Sequence, residues 1–124
     1  MSSKVSCFIA VTLIIAMICA VSANAFYVKN TVNSILIMIE NAIGTEDANV
    51  TTAKIINEYW EERTSVLKLS LSEKEMAEIS LHIKEATISA QSNNKEEYEK
   101  SMARLRRAIE GIKKREEFSL ENIL

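Results

Sequence analysis

His82 is the only histidine, and Glu78 and Glu85 stand at i−4 and i+3 from it. On a helix those spacings place both carboxylates beside the imidazole, a grouping suited to holding a proton. A metal site needs further ligands in fixed geometry, and the charged part of the chain has no second histidine and no cysteine. His82 therefore reads as a histidine on the flank of an apolar helix stripe, with a ligand or proton-handling role as the alternative. Carboxylate pairs recur at Glu61-Glu62, Glu96-Glu97 and Glu116-Glu117. Acid–base catalysis requires a carboxyl whose pKa is shifted inside a pocket, and pairs on exposed helix faces are solvated. There is no Gly-rich phosphate loop, no His-Glu-x-x-His helix and no Ser–His–Asp order. The expectation is a protein that is not an enzyme and takes no cofactor or metal.

Other reactive or binding residues are equally plain. Cys7 and Cys19 lie in an apolar head, and on one helix they are about 18 Å apart, too far to pair. Asn49-Val50-Thr51 matches a glycosylation acceptor, which matters only in a eukaryotic secretory pathway. Arg104, Arg106, Arg107, Lys113, Lys114 and Arg115 form a basic cluster off the apolar stripe. It reads as a solvated helix back; contact with anionic lipid or an acidic partner is the alternative, weakened by Glu110, Glu116 and Glu117. Trp60, the only tryptophan, is either the main core anchor or a partner anchor.

The elements that must position these residues are helices. The chain has 124 residues, no proline and two glycines, poor material for turns and good material for long helices. Its net charge of −2, from 15 basic and 17 acidic residues, gives no footprint for nucleic acid. Aromatics are 6% of residues, thin for a large core.

The head begins with Lys4 and continues as CFIAVTLIIAMICAV, followed by small residues. This is the layout of an export signal, with Ala23 and Ala25 placed for cleavage before Phe26. The competing reading is a retained anchor. The uncharged run from Val5 to Ala25 reaches about 30 Å as a helix, the thickness of the hydrocarbon core. Phe26 and Tyr27 suit an interfacial position, and Lys4 favours the cytoplasmic side, although Lys29 opposes it from the far flank. The residues before Cys19 do not suit a lipoprotein signal.

Beyond the head, each segment carries an apolar stripe at helical spacing. Val32, Ile35, Leu36, Ile39 and Ile43 form the first, with Gly44 placed to end it; this helix either packs under the body or lies along the membrane surface. Asp47 and Asn49 are candidate caps for a second helix from about Val50 to Leu69, carrying Ala53, Ile56, Trp60 and Leu67. Ser72 and Glu75 form a capping-box pattern ahead of Met76, Ile79, Ile83, Ala86 and Ala90, with Leu81 and Ile88 as a weaker stripe on the opposite side. Asn93 or Asn94 caps the last helix, whose stripe is Tyr98, Met102, Leu105, Ile109 and Ile112, continued by Leu120 and Ile123. Glu110 and Lys114 are spaced for an i,i+4 pair. The last two stripes match as an antiparallel hairpin, and the Trp60 and Ile35 helices, a partner or a second copy would cover it.

This order of features resembles the DUF4363 family, a domain of unknown function found mostly in spore-forming Firmicutes. The likeness rests on the N-terminal membrane segment, Trp60, the polar hairpin turn and the tail REEFSLENIL, with Glu116 or Glu117, Leu120, Asn122 and Ile123 in order. Family members often carry a histidine near the start of the long hairpin helix. Ser72 stands about there and His82 falls elsewhere, so no role of that histidine carries over. The resemblance implies a single-pass membrane protein with a small helical extracytoplasmic domain and no known activity. It also implies a multi-pass membrane protein as a partner, since one is often encoded beside family members.

The expected architecture is all-α, an N-terminal transmembrane helix followed by a small antiparallel helical bundle or hairpin. Residues 1–28 form a signal-anchor or transmembrane helix, 29–48 a juxtamembrane helix and linker, and 49–124 an extracytoplasmic hairpin or bundle. The expected role is a membrane-anchored accessory protein that binds or positions a partner, either a membrane protein or a second copy. Trp60, Leu81, Ile88, Leu120 and Ile123 are the candidate contacts. The alternative is a cleaved, secreted helical module that self-associates or binds a ligand. The early return of the apolar pattern at Val32, together with the resemblance, favours the anchor.

Overall fold

Between Ser3 and Ile43 no proline or glycine interrupts the chain, and it forms one helix, α1, of 41 residues. At about 1.5 Å per residue it is roughly 60 Å long. The structure is a computed structural model that describes residues 3–43 and 50–123, without the side chains of residues 43 and 119–123. Three helices follow: α2 (Val50–Leu67), α3 (Glu73–Gln91) and α4 (Lys95–Ile123). The stop at Gly44, the caps at Asp47 and Asn49, the acceptor Asn49 and the side chain of Ile43 lie outside the described residues.

The helices close into a ring. α3 packs on α4, α4 on α1, α2 on α3 and α1 on α2, with no diagonal pairing among the described residues. Cross-helix pairs fix the antiparallel register: Glu85 with Arg104 and Glu75 with Arg115 between α3 and α4, and Glu40 with Arg106 between α1 and α4. This is an up-down-up-down bundle whose first helix is twice as long as the bundle needs.

Of the two placements open to the Ile35 helix, under the body or along a membrane surface, it takes the first. Val28, Thr31, Val32, Ile35, Ile39 and Ala42 are buried where α1 packs on α2 and α4. The buried stripe thus begins at Val28, one turn before the expected Val32, and the 28/29 boundary falls inside a continuous helix. The preceding turns differ completely, since residues 3–23 are all exposed. The same helix is a bare apolar rod at one end and a bundle wall at the other.

The remaining core follows the stripes. Ala53, Ile56, Trp60 and Leu67 are the buried residues of α2, as their spacing predicts. Ile79, Ile83, Ala86 and Ala90 come from α3, and Tyr98, Met102, Leu105, Ile109 and Ile112 from α4. Ile35, Ile39, Ile56, Ile79, Ile83, Leu105 and Ile109 are each at most 1% exposed, and burial of such a side chain stabilises by about 1.5–3 kcal/mol.

Local chemistry sets the turns. The Ser72 hydroxyl accepts from the Glu75 N–H at 3.1 Å, while the Ser72 N–H donates to the Glu75 carboxylate at 3.1 Å, a complete capping box. Leu71, just before the cap, is 6% exposed and Met76 packs against the same core, the matching hydrophobic staple. α2 ends at Leu67, not Leu69, because residues 68–71 are drawn into the reversal that delivers Leu71 to the core. At the other end Asn93 adopts φ 55°, the left-handed conformation that closes a helix, and the Asn94 N–H reaches back to the Ser89 carbonyl. Asn94 then caps α4 through its side chain, accepting from the Glu97 N–H at 3.2 Å.

Candidate functional site

Trp60 projects from α2 into the α2–α3 seam and is 2% exposed. Its indole Nε1–H donates to the Ser80 hydroxyl at 2.9 Å, so the one polar atom of the ring is satisfied across the seam. The tryptophan named as a candidate partner contact is thus a core anchor in this chain. It forms the floor of an open groove of about 360 Å³ that Asn57, Glu61, Thr64, Ser80, Lys84 and Thr87 also line. No nucleophile–base pair faces this groove; its polar groups are an amide, hydroxyls and two opposite charges.

The remaining chemistry-bearing residues pair with charges on neighbouring turns. The His82 side chain is largely covered on α3, 15% exposed, with Glu78 at 3.7 Å from Nε2 and Glu85 at 3.7 Å from Nδ1. Glu85 also holds Arg104 at 3.2 Å, which ties the histidine's surroundings to α4. Among the described residues no group of three or more His, Cys, Asp or Glu side chains is arranged to hold a metal ion. Glu96 meets Lys100 at 3.1 Å and Glu97 meets Arg104 at 3.4 Å. Cys7 and Cys19 are free thiols exposed on the bare part of α1.

The basic cluster divides in two. Arg104, Arg106 and Arg115 clamp helices together, through Glu85, Glu40 and Glu75 respectively. Arg107 and Lys114 stay exposed. Glu110 pairs with Arg106 at 3.1 Å, not with Lys114, because Arg106 also reaches across to Glu40 and so lies over that side of α4. At Glu75 burial works to raise the carboxyl pKa, but hydrogen bonds from Arg115 and Ser72 outweigh it and hold the group below its ordinary value. The hydrogen bond with Glu75 in turn raises Arg115 against the opposing effect of burial.

Two apolar side chains face solvent where the sequence placed a second stripe. Leu81 is 53% and Ile88 51% exposed on the outer face of α3. The side chains of Leu120 and Ile123 lie outside the described residues, although α4 itself continues to Ile123.

Ala23 and Ala25, the candidate cleavage residues, lie inside α1 with no break in the helix. Asn24 between them donates from Nδ2 to the Ser70 hydroxyl of the α2–α3 turn. The motif is therefore also a docking point for the bundle. Sequence reasoning missed this contact, along with Leu69, which is 78% exposed in the same turn. The capping box was the available signal: with Ser72 as cap and Leu71 as staple, the residues just before them must reverse the chain and cannot extend α2.

The apolar part of α1 is long enough to cross a membrane and lies wholly outside the packed core. No curated protein and no solved structure matches the chain. Residues 21–123 match the family model described as a domain of unknown function (DUF4363). With the match covering the second half of α1 and all of α2, α3 and α4, the chain belongs to the DUF4363 family.

Proposed function

We propose that the protein is a membrane-anchored, non-catalytic helical accessory protein that holds a partner at the bacterial cell envelope, with its bundle on the extracytoplasmic side. The carrying observation is α1, a single helix whose exposed apolar half runs without a break into a buried bundle wall. Lys4 before the span supports this orientation by the positive-inside rule, against the pull of Lys29 on the far flank. The partner surface is the outer face of α3 at Leu81 and Ile88, away from the clamped α3–α4 seam. Membrane fractionation tests the anchor: the protein stays in the pellet through salt and alkaline washes and leaves it with detergent. Release by salt alone contradicts the reading. Photocrosslinkers at positions 81 and 88 test the partner surface, with the buried position 83 as the control.

A second reading, a cleaved and secreted module, draws support from Ala23 and Ala25. Peptidases act on opened chain, and here the motif is helical and bonded to Ser70, so cleavage after folding requires local unwinding. Intact mass separates the two: a retained Met1 supports the anchor, and a chain beginning at Phe26 supports secretion.

A further inference from the structure

We propose that the bundle end from which the span emerges is itself a lipid-contacting surface. Leu69 in the α2–α3 turn, with Phe26 and Phe118, seats in the membrane interface. This rests on reading the first half of α1 as a membrane span.

The placement follows from register. Asn24, at the end of the uncharged run, bonds to Ser70, which fixes the α2–α3 turn beside the point where α1 leaves the bundle. On α4, Lys113, Glu116 and Glu117 lie against Val28, Lys29 and Val32. Phe118, the next residue along α4, therefore stands at the level of the same exit. Three separate elements thus bring a large apolar side chain to one end, and all three are exposed: Leu69 at 78%, Phe26 at 72% and Phe118 at 65%.

The turn is built to tolerate a medium poor in hydrogen-bond partners. The N–H groups of Lys68, Leu69, Ser70 and Leu71 donate to the carbonyls of Thr64, Val66, Leu67 and Leu67, at 2.8–3.1 Å. The Ser72 N–H is taken by Glu75. Every backbone donor from 68 to 72 is thus satisfied within the protein, where a turn in water can leave such groups to solvent. An unsatisfied N–H entering lipid costs several kcal/mol, and this turn brings none. Leu67 and Leu71 are buried on either side, so Leu69 is the leucine of the reversal turned outward.

The occupant is the bilayer and not a protein, because the three side chains come from three elements at the level of the span's exit and line no common groove. An inserted span puts lipid at that end without any further partner. Attraction is chiefly apolar: Lys29, Lys68, Lys74, Lys113 and Arg115 stand near this end beside Glu73, Glu75, Glu116 and Glu117, and this near balance gives little selection for anionic lipid.

The test uses the full chain with Cys7→Ser and Cys19→Ser, reconstituted into phosphatidylcholine vesicles. An environment-sensitive fluorophore is attached at one introduced cysteine, Ile14→Cys, Leu69→Cys, Phe118→Cys or Ser92→Cys. Spin-labelled lipids quench it at the bilayer centre or near the headgroups. Deep quenching at 14, and several-fold stronger shallow quenching at 69 and 118 than at 92, is the expected pattern. It is unchanged when phosphatidylglycerol is added. Leu69→Glu, a substitution at an exposed site that leaves the core intact, lowers the shallow quenching at 118, and Leu69→Ile preserves it. Quenching at 14 with 69 no more quenched than 92 overturns the inference and leaves the anchor standing. No quenching at 14 removes the anchor itself. Quenching at 69 that appears only with phosphatidylglycerol overturns the apolar mode.

Discussion

Truncating Trp60 to alanine separates a core anchor from a partner anchor, and its cost can be worked from the packing. The ring is 2% exposed, so nearly all of it is removed from water by α2–α3 packing. An aromatic of this kind buries about 150–250 Å², and at about 25 cal/mol per Å² that is worth roughly 4–6 kcal/mol. The alanine methyl retains a small part, leaving about 3–5 kcal/mol. The hydrogen bond to Ser80 adds little to this, because Ser80 is exposed and water replaces the indole once it is gone. A bundle of this size has a stability of roughly 5–15 kcal/mol, so Trp60→Ala consumes a large share of it. Trp60→Phe, which keeps most of the ring, costs about 1–3 kcal/mol.

The assay is urea unfolding of the full chain in detergent micelles, followed by far-ultraviolet circular dichroism. Because Trp60 is the only tryptophan, its own fluorescence supplies a second readout in the unsubstituted chain. A blue-shifted emission that acrylamide quenches weakly is expected, moving red in the same transition that loses helix. If Trp60→Ala leaves the urea midpoint unchanged, or if native emission is already that of a solvated indole, the core assignment is refuted.

Three further substitutions follow from single contacts. Ser101 is fully buried on α4, and its hydroxyl meets no partner among the described residues, so Ser101→Ala raises the urea midpoint by up to about 1 kcal/mol equivalent. Ser72→Ala removes half of the capping box and lowers stability by about 1 kcal/mol, with helix loss beginning at α3 in hydrogen exchange. Glu75 has a folded-state pKa below its unfolded value, so its contribution is full above the ordinary carboxylate range and is lost as pH falls through the folded value. Glu75→Gln, which still serves as a capping-box residue, is therefore less stable than the parent at neutral pH. Midpoints measured against pH converge below about 4.3, and a gap that persists in acid contradicts the ion-pair account.

Periodicity served well wherever apolar and polar residues alternate sharply. The four buried residues of α2 and the stripe of α4 were legible for that reason. It failed at the start of the α1 stripe, since Val28 follows a long uncharged run and no charged face marks where exposed apolar surface becomes core. Ser101 was hidden for the opposite reason. It occupies a core position beside Met102, but its hydroxyl breaks the pattern. The Arg106–Glu110 pairing was beyond sequence because Lys114 offers Glu110 an equal spacing on the other side, and only Glu40 on another helix decides between them. The same holds for Asn24 and Ser70, which meet across 46 residues of chain.

A stiff α1 also constrains what a partner at the α3 face must be. If the apolar half of α1 spans the membrane as proposed, the absence of proline and glycine along α1 holds the bundle as a rigid continuation of the anchor. α3 starts at the end of the bundle where Ser70 meets Asn24. Leu81 and Ile88 follow eight and fifteen residues after Glu73, which places them about 12 and 22 Å farther from that end. A multi-pass protein confined to the bilayer does not reach them; it needs an extramembrane segment that rises to that height. A second copy of this chain, anchored in the same membrane, presents its own Leu81 and Ile88 at matching heights with no such segment. Photocrosslinks from 81 to 81 and from 88 to 88, with none from 81 to 88, are the signature of that parallel arrangement. Links to another polypeptide's loop identify the other.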